Sequence, residues 1–154
     1  QKQPVFLYGA GHVGRAVVEI ARHLPCQIYW VDTDDDRYPE DIAEEVTKLL
    51  ANKPETIAQH APGDAIHLIM TYSHQVDFKI VMAVLSCGNF ARCGLIGSET
   101  KASRFRKRLR DAGVNSDAIE RLSCPIGLPE ITGKKPLQVA ISVTGQLSNW
   151  LETK

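Results

Sequence analysis

Several things are scarce in this chain, and each scarcity excludes something. Its 154 residues hold no apolar run near the ~20 residues that cross a bilayer, so no membrane-spanning helix and no membrane partner are expected. Net charge is missing as well. Lys and Arg number 18 and Asp and Glu number 18, which leaves no electrostatic case for nucleic acid or a charged membrane surface. Cysteine is sparse and scattered: Cys26, Cys87, Cys93 and Cys124 form no C-x-x-C pair, so thioredoxin-like and zinc-ribbon readings fail and no metal site is expected. Their spread fits reduced thiols in a cytoplasmic protein. No signal-peptide pattern precedes the first apolar run. The chain opens on Gln1 rather than Met, and residues 1–154 are read as one domain, the C-terminal domain of a longer protein.

What is present is organised around Pro4–Gly14, PVFLYGAGHVG. A buried strand, Val5–Tyr8, runs into Gly9-Ala10-Gly11-His12-Val13-Gly14, a G-x-G-x-x-G loop that opens a helical pattern. The first Gly suits a tight turn, the second lets backbone approach a phosphate, and the third lets the helix pack on the strand. The helix terminus then offers N–H groups and a positive dipole end to an anion. A second strand, Cys26–Asp32, ends in an acid 18 residues after Gly14, close to the ~20-residue offset at which a carboxylate meets a ribose hydroxyl. Such an acid disfavours a 2′-phosphate. Asp34, Asp35 and Asp36 read as a solvated loop. The alternative for the whole motif is a tight turn that binds nothing.

The remaining pattern alternates strands with helices. The first helix spans roughly His12–Leu24, with Val13, Val17, Ile20, Ala21 and Leu24 toward the sheet. Between Pro39 and Ala61 local pattern and topology conflict. Ile42, Val46, Leu49 and Leu50 have helical spacing, yet a Rossmann half requires a strand there. Val46–Leu50 is therefore read as strand three and Pro54–His60 as a short helix with Pro at its start. Ala65–Thr71 is a buried strand, and His67 within it reads as a satisfied core or edge histidine. A helix follows over Asp77–Cys87, with Cys87 a small buried residue. Arg92–Ile96 is strand five. It leads through Gly97-Ser98 into a basic helix ending near Ala112, and Ser116–Leu122 is a further short helix. Ser123–Pro129 is rigid and irregular, and its Cys124 is read as an ordinary thiol in preference to an activated one. Pro136 starts a last helix to about Leu151, with Val139, Ile141, Val143 and Leu147 on its apolar side. Trp150 packs on a neighbour or marks a subunit contact. The expected fold is α/β, a Rossmann-like doubly wound, mostly parallel sheet with helices on both faces.

Ligands of such sheets sit outside the carboxyl ends of the strands, near the switch point. The candidates there are Gly9, Gly11, His12, Gly14 and Asp32, then Thr71, Ser73, His74 and Asp77, then Gly97, Ser98, Lys101 and Arg104. Ser73 or His74 also suits a helix cap and Asp77 a first turn. Lys101 and Arg104, in the first turns of the basic helix, are the cations expected to reach a phosphate. The other charges of that helix read as a solvated face, because aromatics are not interleaved as nucleic-acid binding would need.

Several stretches together resemble the XdhC/CoxI family, accessory proteins of xanthine dehydrogenase and related molybdenum hydroxylases. They are GAGHVGRAV, MTYSHQVDF, GLIGSETKASRFRKRL, ERLSCPIGLP and VAISVTGQL, and they cover nearly the whole chain. The resemblance implies the family's C-terminal Rossmann-like domain. It also implies a chaperone that binds molybdenum cofactor (molybdopterin), protects it during sulfuration by a cysteine desulfurase and passes it to a xanthine dehydrogenase-type apoenzyme. The two Gly turns would cradle its phosphate, and His74 and Asp77 would hydrogen-bond the pterin. The family's MTHSH-like motif carries His where this chain has Tyr72, so position 72 is not carried over as a ligand. The rival readings are an NAD-dependent oxidoreductase and a nucleotide-sensing regulatory domain. A Cβ at Gly11 is expected to strike a bound phosphate and to need a strained backbone. The last helix, expected to expose apolar surface, suggests a homodimer.

Overall fold

The computed structural model describes residues 2–153; Gln1 and Lys154 lie outside the described residues. Six strands form one sheet: β1 Gln3–Tyr8, β2 Cys26–Asp32, β3 Thr47–Leu50, β4 Ile66–Ile69, β5 Arg92–Leu95 and β6 Leu122–Ser123. Their spatial order is β3-β2-β1-β4-β5-β6, and each of the five pairings is parallel. The expected fold is borne out, with an all-parallel sheet in place of a mostly parallel one. The chain reverses its direction of travel between β1 and β4, and this switch point leaves a crevice at the carboxyl edge.

Alternation along the strands builds two cores. Phe6, Tyr8 and Ile69 face the helices α2 (Pro54–Gln59), α3 (His74–Cys87), α4 (Glu99–Asp111) and α5 (Ser116–Glu120). Val5, Leu7, Ile66 and Leu68 face α1 (His12–Ala21) and α6 (Pro136–Glu152). Burial on both faces makes these strands continuous apolar runs, as central parallel strands require. Strand three forms where topology demanded it and not where local spacing pointed. Tyr29 pairs with Thr47 and Asp32 with Leu50, so β3 supplies the ladder partner of β2's outer edge.

Some boundaries and faces differ from expectation. The first helix ends at Ala21, three residues early, and α3 begins at His74 rather than Asp77. Within Ser123–Pro129 only Ser123 is strand, extending β5's neighbour β6. On α6 it is Ala140, Val143, Leu147 and Trp150 that enter the core against α1, which turns Ile141 outward to 47% exposure. Trp150 packs within its own chain, beside Gly94 of β5. Cys87, at the last turn of α3, is exposed rather than buried. The four cysteines are free thiols, as expected. No described helix is long and apolar enough to cross a membrane.

Candidate functional site

The three glycines of the first loop serve different ends. Gly9 follows β1 with φ +123°, and a Cβ there would collide with the Met70 carbonyl of the next strand's loop. A Cβ on Gly14 would collide with the Gly9 carbonyl, so this position sets how closely α1 sits on the turn. Trp30 Nε1 and Gly9 N complete the turn, the first donating to Gly9 O and the second to Val31 O, each at 2.8 Å. Gly11 is different. Its φ of −78° and ψ of −169° are open to any residue, and a Cβ there meets nothing within 4 Å. The expected backbone strain at Gly11 is therefore absent. What remains is open space directly above the N-terminus of α1.

That terminus is bare. No side chain caps α1, and no acid lies in its first turn. His12, its first residue, is exposed. The two neighbouring helices are closed. Ser73 accepts from Val76 N, with Asp77 in the first turn of α3; Ser98 accepts from Lys101 N, with Glu99 in the first turn of α4. Only α1 among these three leaves its first N–H groups and the positive end of its dipole for a ligand.

Asp32 is held against the loop. Its Oδ2 accepts from Ala10 N at 2.8 Å, and its Oδ1 accepts from Asp34 N at 3.0 Å and Arg37 Nη1 at 2.7 Å. A carboxylate has about four acceptor positions, so one is left for a ligand hydroxyl. Asp34, Asp35 and Asp36 are exposed, as expected.

The polar cluster after β4 is mostly tied up within the protein. Asp77 is fully buried. Its Oδ1 accepts from Thr71 N at 2.9 Å and Thr71 Oγ1 at 2.6 Å, and its Oδ2 accepts from Lys101 Nζ at 2.8 Å. Lys101 also donates to Ile96 O at 2.8 Å. The ammonium expected to reach a phosphate thus lies in a buried pair, and the carboxylate expected to meet a pterin is its partner. Gly97, at φ +155°, makes room for the Lys101 side chain. His74 and Arg104 stay exposed on the same edge, with the His74 ring edge-on to Phe105.

Two residues beside the crevice were not singled out as site residues from the sequence. Arg37 stacks on the ring of Tyr72, its guanidinium carbon 3.9 Å from the ring centroid. Tyr72 lines a small cleft with Asp32, Thr33, Pro54, Thr71 and Val76, and Arg37 is joined to that lining through its ion pair with Asp32. The available signal was an aromatic residue inside the polar run that ends β4.

Other candidates are structural. His67 bonds Tyr8 Oη at 2.8 Å inside the sheet, and burial pushes its pKa down to about 4, so the ring is neutral. Burial pushes the Cys124 thiol up to about 11, against the neighbouring Lys101 and Arg106, so it is an unactivated thiol as expected. Among the described residues no group of three His, Cys, Asp or Glu side chains could hold a metal ion.

Known proteins are similar to this chain in sequence or fold. Protein YqeB of Escherichia coli (strain K12) is 28% identical over 142 residues, which cover 92% of this chain and 26% of that one. Among solved structures, a xanthine dehydrogenase from Bacillus halodurans superposes with a TM-score of 0.81 at 21% identity, over 99% of this chain and 44% of that one. An imine reductase variant from Myxococcus stipitatus, in complex with NAD+, superposes with a TM-score of 0.53 at 16% identity, over 75% of this chain and 39% of that one. These likenesses to solved structures speak for the fold. The chain spans about a quarter of its curated relative and less than half of either structure. The model of the XdhC Rossmann domain matches residues 5–147, and the chain belongs to that family.

Proposed function

We propose that this domain binds molybdenum cofactor through its phosphate-bearing end and serves as a carrier in the maturation of xanthine dehydrogenase-type molybdenum hydroxylases. The observation that carries the reading is the bare N-terminus of α1 beneath Gly11, at the switch point of a domain of the XdhC family. A phosphate fits there because backbone N–H groups and the helix dipole favour an anion, and a glycine without steric need leaves room for it. Gly11, His12 and Gly14 would hold that group, while Gly9, whose N–H and carbonyl are bonded to Val31 and Trp30, would shape the turn beneath it. His74 and Arg104 are exposed on the same edge and free to approach the rest of the ligand. Asp77 fits a pterin contact less well, since Thr71 and Lys101 occupy its oxygens, and its role in this reading is to hold the loop after β4. The Bacillus halodurans neighbour bears the name xanthine dehydrogenase, which supports a role beside such enzymes.

The bound cofactor would bring its own molybdenum and sulfur chemistry; the domain's residues bind, orient and shield it. The partners in this reading are a cysteine desulfurase and the recipient apoenzyme, with a homodimer as the proposed assembly.

Calorimetry of the whole chain against molybdopterin cofactor and against NAD tests the reading. Cofactor binding that Gly11→Val weakens tenfold or more, with NAD binding weak or absent, is the expected result. Tight NAD binding without cofactor binding would sink it and favour the oxidoreductase alternative.

A further inference from the structure

The order β2-β1-β4 places the loops after β2 and β4 on either side of β1's carboxyl end. Arg37 comes from the first loop and Tyr72 from the second, so their stacked contact spans the end of β1 and the glycine turn that follows it. The two members are held very differently. Arg37 is fixed: its Nη1 donates to Asp32 Oδ1 at 2.7 Å, and Arg15 of α1 donates through Nε to the Arg37 carbonyl at 3.0 Å. Tyr72 is 66% exposed, the most exposed of the large apolar side chains among the described residues. A folded chain gains little stability from an aromatic ring left in water, and the loop that carries it is pinned only at Thr71 and Ser73. Beside Tyr72 lies the cleft, with apolar surface from Val31, Pro54 and Val76 and hydrogen-bonding groups on Asp32, Thr33 and Thr71.

We propose that Arg37 and Tyr72 form a stacking platform for the base of a nucleotide whose pyrophosphate lies on the N-terminus of α1. Guanidinium planes and aromatic rings both stack on nucleobases, and here the two are in contact, with the aromatic ring in the wall of a small apolar cleft. In this pose the acceptor position left on Asp32 would serve the intervening sugar. Its other oxygen is bonded to Ala10 N, one residue before Gly11, so sugar and phosphate contacts adjoin without rearrangement. The platform deepens the proposed cofactor reading and rests on its phosphate site: it makes the preferred ligand a dinucleotide form of the cofactor rather than a monophosphate.

The test titrates the whole chain with ADP, GDP, CDP and inorganic pyrophosphate by calorimetry. At least one nucleoside diphosphate should bind about tenfold or more tightly than pyrophosphate. Tyr72→Ala should erase that advantage and leave pyrophosphate affinity unchanged, while Tyr72→Trp should keep it. Because Tyr72 is exposed, neither change threatens the fold. The platform is overturned if no nucleoside diphosphate outbinds pyrophosphate, if none binds at millimolar concentration, or if Tyr72→Ala keeps the base preference. Undiminished pyrophosphate binding by Gly11→Val is a separate result, and it overturns the phosphate site on which both readings stand.

Discussion

Among the helices that begin on the carboxyl edge of the sheet, α1, α3 and α4 show two ways of beginning. α3 and α4 start on serine caps, carry an acid in the first turn and are tied to each other by the buried Asp77–Lys101 pair. α1 starts on a glycine with no cap, no acid and no ion pair at its end. Each closed end gains roughly 1 kcal/mol from its cap. The open end forgoes that gain. A terminus left unsatisfied beside two satisfied ones marks where a ligand can supply the missing acceptors, and it identifies the closed pair as the frame that holds the crevice in shape.

The largest effect should come from breaking the frame. Lys101→Met leaves the Asp77 carboxylate buried with only Thr71 as donor, and truncating one member of a buried pair costs about 3–5 kcal/mol. Urea denaturation should show that loss. A cost below ~1 kcal/mol would mean that the pair does not hold the two closed termini, because exposed pairs are worth no more than that. The same change should weaken anion binding at α1 only through stability, not through a lost contact, since Lys101 is engaged with Asp77 and Ile96.

The next effect separates the glycines. Gly9→Ala forces a Cβ onto the Met70 carbonyl at a φ of +123°, and the strain and overpacking together should cost about 3 kcal/mol or more. Gly11→Ala meets nothing and should change stability by no more than ~1 kcal/mol. Equal losses at the two positions would erase the distinction between a glycine the fold needs and one the ligand needs.

How much of this could be read from the chain follows from the range of each interaction. The roles of Gly9 and Gly14 were legible because a G-x-G-x-x-G turn is a local demand on backbone geometry. The succession of strands and helices followed from the apolar pattern, and the need for a ladder partner overrode the helical spacing around β3; the spatial order of the strands came from the structure. Lys101 was misjudged for the opposite reason. Its position in a first turn is local, but its partner Asp77 lies 24 residues away on another helix, and nothing in either segment announces the pairing. Ile141 was placed inward by period alone; the face α6 buries is set by where α1 lies, which shifts the core stripe to Ala140, Val143, Leu147 and Trp150. Arg37 and Tyr72 escaped as site residues because their contact exists only once β2 and β4 flank β1.

The smallest effect on stability is also the sharpest on function. Gly11→Asp would convert the open terminus into a closed one. The backbone at Gly11 is already extended, as an N-cap requires, and a side chain there enters open space. Its carboxylate could accept from the N–H groups of Val13 or Gly14 and would lie at the positive end of the dipole. The variant should therefore be more stable than the parent by about 0.5 kcal/mol. It should also lose pyrophosphate affinity by tenfold or more, because the new carboxylate takes the ligand's N–H groups and repels its charge. A gain in stability with a loss of binding is the result only a ligand-reserved terminus gives. A variant that binds pyrophosphate as the parent does would put the anion elsewhere. One that is destabilised by more than ~1 kcal/mol would show that Gly11 serves the fold after all, and α1 would then differ from α3 and α4 only in the residue that starts it.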